Sequence, residues 1–94
     1  MKVFKFGGAS VKDEKAVKNL VSLLKNIVYK ETIIVVSAMG KTTNALEKIT
    51  ESYFKNENQT LKEFLKIKEY HLTIVKNLFK ENDQEIKKSI NNIF

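Results

Sequence analysis

Five consecutive β-branched residues, Thr32-Ile33-Ile34-Val35-Val36, constrain this chain more than any other stretch. Side chains stiff at χ1 favour extended backbone, and without polar alternation neither face of the strand suits water. That pattern predicts a strand buried on both faces, as in a parallel sheet sandwiched between helices. Upstream, Ala16, Val17, Leu20, Val21, Leu24, Ile27 and Val28 recur at helical spacing, predicting an amphipathic helix from about Asp13 to Tyr29. Asp13 and Glu14 fall in its first turn and Lys30 near its last, each favoured by the helix dipole. Before it, Val3-Phe4-Lys5-Phe6 reads as a short strand stopped by Gly7-Gly8. Strand, helix and strand make a βαβ unit, so the chain is α/β. Its crossover places the ends of both strands on one sheet edge, where ligands of open parallel sheets bind.

Helices are expected for the remainder. One opens around Thr42 or Thr43, with Thr42, Thr43 and Asn44 as cap candidates, and carries Leu46, Ile49 and Tyr53. Asn56-Glu57-Asn58-Gln59 is a polar break, after which Thr60 and Glu63 have the spacing of a capping box. The helix it opens runs to about Lys80 with a wide apolar stripe that includes Phe64, Ile67, His71, Ile74 and Val75. Asn82-Asp83 breaks it, and Gln84 to Phe94 starts another, with Ile86, Ile90 and Ile93 in register.

Composition removes several classes of function. Ninety-four residues allow one modest core, which makes a cleft for two substrates hard to build from this chain alone. With no cysteine and one histidine, His71, neither a disulfide framework nor a thiolate or zinc centre is available. No run of apolar residues is long enough for a membrane span, and no secretory pattern opens the chain, so a cytoplasmic protein without a membrane partner is expected. Asn58-Gln59-Thr60 is accordingly read as a polar loop and not a glycan acceptor. The formal charge of +6 suggests nucleic acid at first. Every basic residue is a lysine, however, scattered among glutamates, and no arginine supplies a bidentate fork; no nucleic-acid partner is expected.

Two stretches carry possible chemistry. In Lys5-Phe6-Gly7-Gly8-Ala9-Ser10, adjacent glycines let backbone approach an anion, and Lys5 adds a point charge; a tight turn with a solvated lysine is the alternative. The second, Ser37 to Asn44, is a small-residue loop rich in hydroxyls. Its Gly40-Lys41-Thr42 invites a P-loop assignment, but the glycine required five residues before Gly40 is Val35, inside the strand.

Together, Lys5-Phe6-Gly7-Gly8-Ala9-Ser10-Val11 and Val35-Val36-Ser37-Ala38-Met39-Gly40-Lys41-Thr42-Thr43-Asn44 resemble the N-terminal part of aspartate kinases. The resemblance covers residues 1–94, and implies the first, incomplete part of the three-layer catalytic domain of the amino-acid-kinase fold, without a regulatory ACT domain. It implies transfer of the ATP γ-phosphoryl group, delivered with Mg²⁺, to the side-chain carboxylate of L-aspartate, giving 4-phospho-L-aspartate. Lys5 then bridges the transferred phosphoryl and the attacking carboxylate, and Phe6, Gly7 and Gly8 form the ATP-binding motif. Ser10 either hydrogen-bonds at the site or caps the following helix. Ser37 lies near phosphoryl and aspartate, and Thr43 contacts the aspartate. Ala9 stands where the motif more commonly has threonine. No protein metal ligand is implied, the complete protein is expected to be a homo-oligomer, and the 94-residue chain is expected to be inactive alone. Another enzyme of the same fold acting on a different carboxylate or carbamate, or a lysine-rich binding module, are the competing readings.

Other residues have plainer roles. Lys41 is read as a solvated loop lysine, Asn44 as a helix-start residue, Met39 as loop packing and His71 as a packed, hydrogen-bonded histidine. Tyr53, Phe54, Tyr70 and Phe79 are assigned to core or interface.

Overall fold

A computed structural model describes residues 1–27, 31–55, 58–82 and 84–94. The chain is α/β and divides into two compact units, residues 1–41 and 42–94. In the first unit, β1 (Lys2–Phe6) pairs in parallel with β2 (Thr32–Val36), in a register running from Lys2 opposite Thr32 to Phe6 opposite Val36. Between them lie a 3-10 turn, Gly8–Val11, and helix α1 (Glu14–Ile27). Before β2, Glu31 takes a left-handed backbone with φ 60, and its carbonyl accepts from the Lys2 N–H at 3.1 Å.

Asp13 is the N-cap of α1 and not part of its first turn. Its Oδ1 accepts the Ala16 N–H at 2.8 Å while its carbonyl accepts the Val17 N–H at 3.0 Å. A short carboxylate satisfies a terminal amide better from outside the helix than from within it. Asp13→Ala is therefore expected to cost about 1 kcal/mol, read as a lower midpoint in denaturant unfolding with an unchanged slope. The predicted C-terminal positions Val28, Tyr29 and Lys30 lie outside the described residues.

Burial on both faces of β2 is not what the structure shows. Ile33, Ile34, Val35 and Val36 are 38 to 50% exposed, while among the described residues of this unit Val11 and Leu20 are buried. An unbroken apolar run records what a strand requires on each face. The covering layers are a matter of tertiary packing, and residues 1–41 contain β1 as the partner strand.

The second unit is helical: α2 (Thr42–Phe54), α3 (Thr60–Phe79), a 3-10 turn at Lys80–Asn82, and α4 (Gln84–Ile93). Ile67, Ile74 and Val75 on α3 are buried, on the stripe that the periodicity marks. The expected capping box is absent. Gln59 is the N-cap, without a side-chain cap bond, and its carbonyl accepts the Glu63 N–H at 2.9 Å. Thr60 instead donates its hydroxyl to Ser52 Oγ at 3.1 Å, tying α3 to the buried Ser52 of α2, and Glu63 meets Lys66 at 3.4 Å. A longer-range acceptor has won over the local cap that the spacing suggested.

His71 is packed and hydrogen-bonded, its Nδ1–H donating to the Ile67 carbonyl at 2.8 Å. Its ring lies 5.3 Å from Tyr70 and 5.4 Å from Phe94, and Phe94 also stands edge-on to Phe64 at 5.9 Å. Tyr53 and Phe54 form a T-shaped pair at 5.7 Å but are exposed, so they are not core. Ile86 and Ile93 of α4 are exposed as well. Among the described residues, no helix is long and apolar enough to cross a membrane.

Candidate functional site

The parallel register brings the C-terminal ends of β1 and β2 side by side, with Phe6 opposite Val36. The ladder then continues one bond further, the Ser37 N–H donating to the Phe6 carbonyl at 2.9 Å. Both loops singled out in the sequence thus leave the same edge of one strand pair. Beyond Ser37, the second loop turns back onto the first. Gly40, in the left-handed region at φ 55, donates its N–H to the Gly8 carbonyl at 3.0 Å.

The two neighbouring glycines differ in what they are for. A Cβ on Gly8 would stand 2.5 Å from the Gly40 carbonyl oxygen and 3.1 Å from that of Ala38, so the clasp between the loops requires glycine there. A Cβ on Gly7 would meet nothing within 4 Å among the described residues, and its backbone is extended at φ −79 and ψ 176. Among the described residues, neither conformation nor packing requires glycine at Gly7. A residue without a side chain at an exposed strand end, next to a 3-10 turn whose leading amides have no partner inside it, leaves backbone open to close approach by an anion.

Lys5 is exposed, opposite Val35, on the last turn of the pleat before the glycines. Adjacent strand residues project to opposite faces, so Lys5 and Phe6 diverge. Phe6 is half-buried and, with Leu20 and Leu23 of α1, lines a depression of about 350 Å³ whose polar rim includes Ser10, Lys12 and Asn19. The Phe6 side chain therefore faces that depression, and its backbone carbonyl belongs to the loop junction. Ser10 is exposed on that rim, and its N–H donates to the Gly7 carbonyl at 3.0 Å, closing the turn. Asp13 caps α1, which removes the helix-cap reading of Ser10.

Residues 1–41 thus bring together Lys5, the glycine pair, Ser10 and Ser37 around one sheet edge. Thr43 belongs to the second unit. It is exposed in the first turn of α2, where it lines a shallow depression with Leu46, Glu47 and Thr50. Among the described residues, no three His, Asp or Glu side chains are grouped to hold a metal ion.

Sequence reasoning missed Gly40 as a partner of Gly8, having met it in testing for a P-loop and within the second motif of the resemblance without assigning it a role. The signal available was weak: small residues, Ala38 and Gly40, alternating in a loop that must lie beside another glycine turn.

Both loops fall within a span that matches known proteins. The model of the amino acid kinase family matches residues 1–89, a span that includes both loops. Aspartokinase 1, chloroplastic, of Arabidopsis thaliana is 39% identical over 80 residues, covering 81% of this chain and 14% of the relative. Aspartokinase 2, chloroplastic, of the same plant is 38% identical over 73 residues, covering 74% of the chain and 13% of the relative. The chain thus spans well under a fifth of the length of these relatives. With a family match that runs through nearly all of it, and with the matched glycine and serine loops hydrogen-bonded to each other at the end of a parallel strand pair, the chain belongs to the amino acid kinase family.

Proposed function

We propose that this chain supplies the phosphate-handling edge of an aspartokinase, which moves the γ-phosphoryl group of ATP to the side-chain carboxylate of L-aspartate. The observation that carries this reading is the clasp itself: Gly8 and Gly40 join a lysine-preceded glycine turn to the serine loop, within the span matched by the family. The 39% identity to an aspartokinase supports aspartate as acceptor.

In the reaction, a carboxylate oxygen of aspartate attacks the γ-phosphorus as the bond to the bridging oxygen of ADP breaks. The acceptor is already ionised, so no general base is needed. The protein's task is alignment and charge neutralisation. Lys5 offers its ammonium where γ-phosphate and carboxylate, both negative, must meet. The Gly7 and Gly8 backbone receives phosphate oxygens at a distance that a side chain would prevent. Ser37 and Ser10 supply hydroxyls, and Thr43 is assigned to the aspartate on its match to the family motif. Mg²⁺ carried on the nucleotide would neutralise further phosphate charge. We place the reaction in the cytoplasm, in a homo-oligomer, at the entry to lysine, threonine and methionine synthesis. Because the chain spans well under a fifth of the length of the aspartokinases it matches, we expect it to show no turnover by itself.

A coupled assay of the complete gene product with aspartate and with glutamate tests the reading. A pocket fitted to the shorter acid is expected to prefer it by about 10- to 200-fold in kcat/KM, the discrimination that one methylene allows. Equal rates, or preference for glutamate, would assign the protein to another carboxylate kinase of the same fold.

A further inference from the structure

Lys41 was expected to be a solvated loop lysine, and its side chain is indeed exposed. Its backbone, however, is held in a particular place. Gly40 donates its N–H to the Gly8 carbonyl at 3.0 Å, and the Gly40 carbonyl carbon, bonded directly to the Lys41 nitrogen, stands 3.4 Å from where a Gly8 Cβ would be. Lys41 thus leaves the second loop at the point where that loop touches the glycine turn, and the left-handed Gly40 sets the direction in which the chain departs.

We propose that Lys41 is a second cation of the nucleotide site, engaging the polyphosphate of ATP from the serine-loop side while Lys5 engages it from the end of β1. This inference rests on the phosphate reading of the glycine turn given above. The chemistry is that of charge. An ammonium on a flexible stem neutralises phosphate oxygens as a point charge without requiring a fixed fork. The two lysines divide the work by position. Lys5 precedes the glycines on a strand facing the transferred group. Lys41 stands beyond the clasp and is suited to the phosphates that remain on ADP, so its contribution is to nucleotide binding and leaving-group charge.

The test is steady-state kinetics and inhibition on the complete gene product carrying Lys41→Met, with Lys41→Arg alongside. Lys41→Met is expected to raise KM for ATP about tenfold, with KM for aspartate changed less than twofold, the size expected for one charge-assisted contact. Inorganic tripolyphosphate should inhibit the wild-type protein and lose about tenfold in potency against Lys41→Met, whereas adenosine should inhibit both equally. Lys41→Arg should restore most of the tripolyphosphate effect, because it keeps the charge; a merely structural role in the loop would not follow charge in this way. If Lys41→Met turns over normally with unchanged ATP and tripolyphosphate constants, the second cation is overturned while the phosphate reading stands. If the wild-type protein neither uses ATP nor responds to tripolyphosphate, both fall together.

Discussion

Replacing Lys5 by methionine is expected to lower kcat of the complete gene product by about a thousand-fold, the loss typical of removing one group aimed at developing transition-state charge. Its thermal midpoint should stay within a degree or two of wild type. The second half of that expectation comes from the structure. Lys5 is an exposed residue of β1 whose role in the sheet is backbone pairing opposite Val35, and methionine preserves both the backbone and the stem of the side chain. Charge is what the substitution removes. Lys5→Arg should fail as well, by at least about tenfold, because a planar fork spreads its charge over a larger group than the compact ammonium it replaces. Kinetics by coupled ADP release, with melting curves on the same preparations, decide the matter. Activity of Lys5→Met within tenfold of wild type would remove Lys5 from the reaction and leave it a solvated strand-end lysine.

The second large effect separates two residues that look alike in the sequence. Gly8→Ala should cost about 1 to 3 kcal/mol of stability, because its Cβ would lie 2.5 Å from the backbone oxygen of Gly40, and backbone gives way less easily than a flexible side chain. Relieving that contact means opening the Gly40 to Gly8 hydrogen bond, so ATP affinity should fall with it. Gly7→Ala should leave stability within about 0.5 kcal/mol, since its Cβ meets nothing within 4 Å among the described residues and its φ of −79 suits any residue. It should nonetheless abolish ATP binding, as the methyl group would occupy the space through which phosphate approaches. Melting and nucleotide titration of both variants give a two-by-two result. A Gly7→Ala variant that binds ATP normally would show that the open backbone is not used, and a fully stable Gly8→Ala would contradict the clasp.

These variants also mark the boundary of what a linear reading can supply. Gly7-Gly8 is visible as a pair, and its place between a strand and a helix follows from the apolar pattern on either side. Which glycine serves the fold and which leaves room for a ligand depends on atoms contributed by Ala38 and Gly40, a whole helix away in sequence. The same holds at Thr60. Its spacing to Glu63 is that of a capping box, yet its hydroxyl finds Ser52 on α2, a partner no local rule could name. Asp13 shows a smaller shift of the same kind. Its helix was legible, but its place one step outside that helix becomes evident from the bond to the Ala16 amide.

The sequence by itself determined the order and type of the elements: a strand, a glycine turn, an amphipathic helix, a parallel strand, then helices with an apolar stripe on α3. Those features follow from side-chain stiffness, period and turn chemistry, which act over a few neighbouring residues. Only the tertiary structure decided that Gly40 clasps Gly8, that Lys41 departs from that clasp, and that the apolar side chains of β2 are exposed in this chain. Contacts between distant residues and burial by covering layers depend on where whole elements are placed, and a local pattern states only what each element needs from that placement.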